Sequence, residues 1–179
     1  MDWLEDTVLD LLIMSYAFGC DSANEDLDTE VEVNTSKMQT SIYKKIEGKT
    51  LADRLREYGK AKDFESIKRV ADTESHRVYT DSQYDTAKEV ESQSRKSNSN
   101  PPDVKSKSYK VKKTWRTMLD DKVRDTHEFL EGVSLDLDER FYTFDGDSSL
   151  KPGGFEMAEN NINCRCELQL SKVEEKGKQ

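Results

Sequence analysis

Apolar positions in the first half of the chain recur at helical spacing. Over Trp3–Phe18, Leu4, Val8, Leu11, Leu12 and Ser15 fall on one side. Asp2, Glu5 and Asp6 sit where the positive end of a helix dipole favours acid. Leu9, Ile13, Met14 and Tyr16 make the segment apolar on more than one face, which predicts burial in a bundle or against a partner. Gly19 reads as its stop, and the acidic, weakly patterned stretch 21–35 as a loop. A second helix is predicted over Lys37–Ile46, with Met38, Ile42 and Ile46 in register and Gly48 at its end. Thr50 is placed to cap a third helix carrying Leu51, Leu55 and Tyr58. The longest candidate runs from Asp63 to about Glu91, with Phe64, Ile67, Ala71, Glu74 and Val78 on one face. Its apolar stripe fades beyond Thr80, so its far end is expected to be exposed or frayed.

The period then changes. Residues 92–108 contain Ser-Asn-Ser-Asn-Pro-Pro and read as a linker, the best boundary in the chain. Beyond it, Tyr109, Val111, Lys113, Trp115 and Thr117 alternate with charged residues, the period of a strand. Asp120 or Asp121 is placed to cap a short helix through Leu130, with Gly132 as its stop. Residues 135–144 read as extended, 145–147 as a turn, and 151–154 as a loop. In the last strand, Asn163–Leu170, Cys164, Cys166, Leu168 and Leu170 share one face, and Arg165, Glu167 and Gln169 the other. The expected fold class is α+β. An N-terminal helical part of three or four helices (1–91) is followed by the linker (92–108). A small C-terminal domain with antiparallel strands and a short helix (109–170) comes next, then a charged, disordered tail (171–179).

Composition narrows this picture. Apolar residues make up 34% and charged residues 36%, so the core is thin and part of the chain is expected as exposed helix or loop. Net charge is −9 and unevenly placed. Residues 1–36 hold ten acidic groups and no Lys or Arg. Between Ser92 and Arg116 there are eight basic groups and one acidic, a local +7. Without interleaved aromatics that stretch reads as a solvated linker, with weak, salt-sensitive DNA contact as its functional alternative. The run Val8–Phe18 is too short to span a bilayer and Asp10 interrupts it, no basic n-region marks a signal peptide, and three cysteines do not make a disulfide framework. The protein is expected to be cytosolic at synthesis, with no membrane partner.

Four constellations bear on chemistry. Gly48-Lys49-Thr50 lacks the upstream glycine and preceding strand of a phosphate loop. Asp136, Asp138, Asp145 and Asp147 lack calcium-loop spacing and read as a solvated turn. Glu74, a carboxylate on an apolar helix face beside Arg77, reads better as a structural ion pair fastening that helix to the C-terminal domain than as a catalytic acid. His127, Cys164 and Cys166 are the one metal-like set. His127 shares a helix face with Val123 and Leu130, the thiols share a strand face, and the three are predicted to converge. They are either a zinc site, with Asp125 or water as fourth ligand, or two core thiols and a hydrogen-bonded histidine. A metal- or cysteine-dependent enzyme is the rival functional class.

Two strings then become recognisable. Lys113-Thr-Trp-Arg-Thr-Met-Leu-Asp-Asp-Lys-Val-Arg-Asp-Thr-His127 and Pro152-Gly-Gly-Phe-Glu-Met-Ala-Glu-Asn-Asn-Ile-Asn-Cys-Arg-Cys166 resemble the signature of the phage Mu F-like minor head proteins. The matching positions are Trp115, Thr117, Asp120, Asp121, Arg124, Asp125, His127, Gly132, Pro152, Asn163, Cys164, Arg165 and Cys166. Upstream, Gly48-Lys49-Thr50 with Arg54, and Ala71-Asp-Thr-Glu74 with Arg77, resemble the same family. The resemblance covers about residues 38–170. It implies a structural role rather than catalysis: a minor capsid protein of the virion, acting in head morphogenesis. Its expected partners are the portal protein and the procapsid, met in the host cytoplasm during assembly, with a part in DNA delivery. Some such proteins carry toxin domains after the core; with so little chain beyond Cys166, none is expected here.

Overall fold

The computed structural model describes residues 2–97 and 109–174. Four helices come first: α1 (Asp2–Leu27), α2 (Thr35–Ile42), α3 (Leu51–Ala61) and α4 (Phe64–Ser97). Strand β1 (Tyr109–Arg116) follows, then α5 (Asp125–Glu128), β2 (Ser134–Asp136), β3 (Phe141–Tyr142), β4 (Ser148–Ser149), α6 (Ala158–Asn161) and β5 (Glu167–Glu174). A three-stranded antiparallel sheet has the order β2-β1-β5, and β3 and β4 form a separate ribbon. Trp115 lies opposite Leu168, and Lys113 lies between Leu135 and Leu170. This is an N-terminal helical bundle followed by a small sheet with short helices, as the periods imply.

The two long helices run side by side in the same direction. Val8 packs with Ile67 and Leu55, Leu12 and Tyr16 with Val78, and Ala23 and Leu27 with Ala87 and Val90. The last cluster continues into the sheet through Val111, Trp115, Leu168 and Leu170. Helices and sheet therefore share one core, which is how a chain with so few apolar residues buries enough surface.

Several expected boundaries shift, each for a local reason. Helix α1 passes through Gly19 to Leu27, so much of the expected loop is helical. Gly19 is where α1 meets α4: a Cβ there would lie 2.2 Å from the Tyr79 carbonyl oxygen. Asn34 caps α2, which ends at Ile42; Ile46 instead bridges to Lys49 in a turn at Gly48. Thr50 caps α3 as expected, in a reciprocal box with Asp53.

Helix α4 reaches Ser97, six residues into the segment read as a linker, and residues 98–108 lie outside the described residues. Phe64 is exposed rather than on the buried face. The far half of α4 is not exposed: Thr80, Gln83, Thr86, Ala87, Val90, Glu91 and Ser94 are buried. The helix near His127 is only α5, because Asp120 makes a turn, accepting from Lys122 N, instead of a cap. The last strand begins at Glu167 and continues through Glu174, into the expected tail. Residues 175–179 lie outside the described residues.

Candidate functional site

Helix α5 is a single turn, and it turns His127 inward until the ring is almost fully buried. The imidazole stacks on Phe155, centroids 5.3 Å apart, and meets the edge of Trp115 at 5.4 Å. After α6, Asn163 takes a left-handed backbone with φ 55, which asparagine tolerates better than most residues. That turn sends the chain into β5 with Cys164, Cys166, Leu168 and Leu170 buried in alternation and Arg165 exposed. Exposed Arg165 holds Asp120 through both guanidinium nitrogens at 2.6 and 2.8 Å. The Arg124 guanidinium bonds the Ile162 carbonyl, tying α5 to the same turn.

The result is a convergence of three donors. His127 Nδ1 lies 3.7 Å from Cys164 Sγ and 3.6 Å from Cys166 Sγ. The three ligand atoms all lie within 4.8 Å of one another, and both thiols are free and buried. The hydrogen bond with Cys166, reinforced by His127, holds Cys164 below the usual thiol range. Cys166, as donor to Cys164 and buried, is pushed well above the usual thiol range. His127 Nε2 is buried with no hydrogen-bond partner among the described residues. A cavity of about 10 Å³, lined by Met118, Lys122, Val123, Asn163 and both thiols among others, touches the cluster. Asp125, proposed as a fourth ligand, is exposed at the start of α5 and does not join the group.

Glu74 and Arg77 form a second centre about the helices. The buried Glu74 carboxylate meets Arg77 at 2.8 Å and Arg54 of α3 at 2.9 Å. Glu74 therefore clamps helix to helix and does not itself reach the C-terminal part. Arg77, three residues on, makes that link through Asp81: it holds Asp81 at 2.7 Å, and Asp81 holds the buried Lys151 at 2.7 Å. Burial opposes ionisation of Asp81, but the Lys151 and Arg77 charges outweigh it and hold the pKa below the carboxylate range. Burial pulls Lys151 below its ordinary value against the pull of Asp81.

The other positions singled out in the sequence are dispersed. Trp115 is fully buried against His127 and Phe141. Thr117 donates its hydroxyl to Glu131, which also pairs with Arg116. Asp121 is exposed and is not one of the grouped donors. Of the four aspartates, Asp147 is not a solvated turn residue: it is buried and accepts from the backbone N–H groups of Ser148, Glu156 and Met157. Sequence reasoning missed His76, Gln83, Glu131 and Lys151. The first two lie on a row of α4 residues, His76, Thr80, Gln83, Ala87, Val90 and Ser94, spaced alternately by four and three. That spacing was the available signal, hidden because its members are small or polar.

The sequence profile of the family described as phage Mu protein F like protein matches residues 35–169. An NAD(+)–arginine ADP-ribosyltransferase EFV from Enterococcus faecalis is 30% identical over 137 residues, 74% of this chain and 24% of that protein. Minor head protein GP7 of Bacillus phage SPP1 is 36% identical over 62 residues, 35% of this chain and 20% of that protein. The chain thus spans a quarter or less of the length of these curated relatives. No solved structure matches it.

Proposed function

The chain belongs to the phage Mu protein F-like family, and on that premise we propose that it is a bacteriophage minor head component acting in head morphogenesis at the portal vertex. The observation that carries this reading is the extent of the match, which runs from α2 into β5 and so takes in α2, α3 and α4, the ion-pair centre and the His–Cys cluster together, with α1 outside it. A relative named as a minor head protein supports the same role.

A protein partner is favoured by α1. Trp3, Leu11, Met14 and Phe18 are exposed and fall within one arc of the helix. Burying such a row needs another surface. No helix among the described residues is long and apolar enough to cross a membrane.

Among its described residues the basic stretch offers DNA less than its +7 suggests. Arg95 pairs with Glu91, Lys110 and Lys112 with Asp136, and Arg116 with Glu131, while Lys113 is buried. Contact with DNA is therefore weak, non-specific and lost with salt. The enzyme reading draws on the His–Cys cluster: the cavity lined by all three donors has room for about one water, and a cleft of about 750 Å³ with His76, Asn163 and Cys164 in its lining opens beside it.

The test is co-expression with the cognate portal protein. The chain is expected to co-purify with portal or procapsid, and Met14→Glu with Phe18→Glu is expected to abolish this while helicity is kept. Repeated absence of the wild-type chain from both would overturn the proposal.

A further inference from the structure

We propose that His127, Cys164 and Cys166 bind one zinc-class divalent cation, with solvent as the fourth ligand, and that the cation staples α5 to the start of β5. The donor set selects the ion class. Two thiols and an imidazole suit a borderline-soft cation, and no carboxylate among the described residues joins the group. Hard cations such as magnesium and calcium take oxygen ligands and are disfavoured.

The spacing fits the same ion. Bonds of about 2.3 Å to sulfur and 2.0–2.1 Å to nitrogen, at a tetrahedral angle, put N and S about 3.6 Å apart. The Nδ1–Sγ distances are 3.7 and 3.6 Å. One nitrogen equidistant from two sulfurs is the arrangement of ligands about a shared centre, whereas a single S–H···N bond needs only one of them.

The cavity is an independent observation. It has about 10 Å³, is lined by His127 and both cysteines, and opens beside Met118, Lys122 and Asn163. That is room for one water, which is what a fourth position needs.

The staple has work to do in the fold. His127 and Cys164 are separated by 37 positions that include β2, the β3–β4 ribbon and α6. These elements are two to four residues long and have little regular structure to hold them. A cation joining the two ends of that segment restricts its unfolded ensemble and contributes its binding free energy to folding.

The experiment is metal analysis of the full chain purified under reducing conditions. One zinc per chain is expected, with a lower melting temperature after chelation and recovery when zinc alone is returned. Cys164→Ser and Cys166→Ser are each expected to lose the metal. Cys20→Ser is expected to keep it, because Cys20 lies on α1 and bonds the Val31 carbonyl. To separate loss of metal from failure to fold, cobalt(II) is also added to metal-stripped wild-type protein. A thiolate-to-cobalt charge-transfer band with tetrahedral visible bands is expected. Folded wild-type protein that holds no zinc and gives no such band overturns the proposal, as does a Cys164–Cys166 disulfide in the chain as isolated. Neither result bears on portal binding, which is read separately.

Discussion

Gln83 pairs with both backbone groups of Leu168: its Nε2 donates to the Leu168 carbonyl at 3.0 Å and its Oε1 accepts from the Leu168 N–H at 3.4 Å. A helix side chain thus stands where a neighbouring strand would be. Leu168 lies on β5, at the edge of the sheet. The same edge is closed on either side, where His76 Nε2 donates to the Cys166 carbonyl at 2.7 Å and Asp26 accepts from Leu170 N at 2.7 Å. An uncovered edge is a template for wrong pairing, and its buried polar groups need partners. Gln83→Leu keeps the volume and removes both bonds. A loss of about 1–3 kcal/mol is expected in urea denaturation, the cost of leaving buried backbone groups unpaired. An unchanged midpoint would show that the edge is satisfied some other way.

Glu74→Ala tests the helix clamp. It leaves Arg54 and Arg77 without their shared carboxylate in a buried site. Arg77 retains Asp81, so the loss is expected near the lower end of the range for breaking a buried pair, about 3 kcal/mol. Adding Arg77→Met removes the stranded charge, and the double variant is expected to be more stable than the sum of the two single losses. Strict additivity in that cycle would argue against the pairing.

Gly19→Ala has a sign that separates contact from propensity. In an ordinary helix interior alanine is better than glycine by about 1 kcal/mol. At Gly19 the added carbon would strike the backbone of Tyr79 and come within 2.9 Å of Ser82 Cβ. Destabilisation of about 1–3 kcal/mol is therefore expected, by separation of α1 from α4. A raised melting temperature would mean that the helices yield.

The two periods were enough to read the class of fold, because the Met38–Ile42 spacing and the alternation through Val111 and Trp115 each reflect one buried face. They were not enough at three kinds of place. Gly19 looks like a helix stop unless α4 is already known to cross it. Thr80, Gln83 and Ser94 looked exposed because hydropathy rates polarity, and their burial depends on sheet groups far along the chain. Lys113 was counted among the charges of the basic stretch although its position in the strand alternation faces inward. The His127, Cys164 and Cys166 geometry was readable because each residue's direction is set locally, whereas Asp120 and Arg165 meet only through the fold.

Lys113 supplies the pH test. Its ammonium is buried and donates to the carbonyl oxygens of Leu137, Glu139 and Leu150, each at 2.7 Å, with no carboxylate among the described residues paired to it. Burial lowers its pKa to about 8, against smaller opposing pulls from Asp138 and Glu139. The folded value is below the unfolded one of about 10.4. Between them the unfolded chain holds a proton that the folded chain has released, so this residue makes stability rise with pH across that window. Tyr16, Tyr79 and Tyr84 are raised by burial and act in the opposite sense, but only as unfolded tyrosines ionise near pH ~10. The clean interval for comparison with a variant lacking Lys113 runs from about pH 8 to about pH 9.5; Cys166, also raised, acts in the opposite sense there as unfolded thiols ionise near pH ~8.5, and that contribution is the same in both proteins. Lys113→Met is expected to cost about 1–3 kcal/mol near neutral pH, because three buried carbonyls lose their donor. Over the clean interval the difference between the wild type and this variant is expected to change with pH, in favour of the wild type as pH rises. Every other titrating group is common to both proteins, so parallel stability curves would show that Lys113 keeps its ordinary affinity for the proton despite its burial.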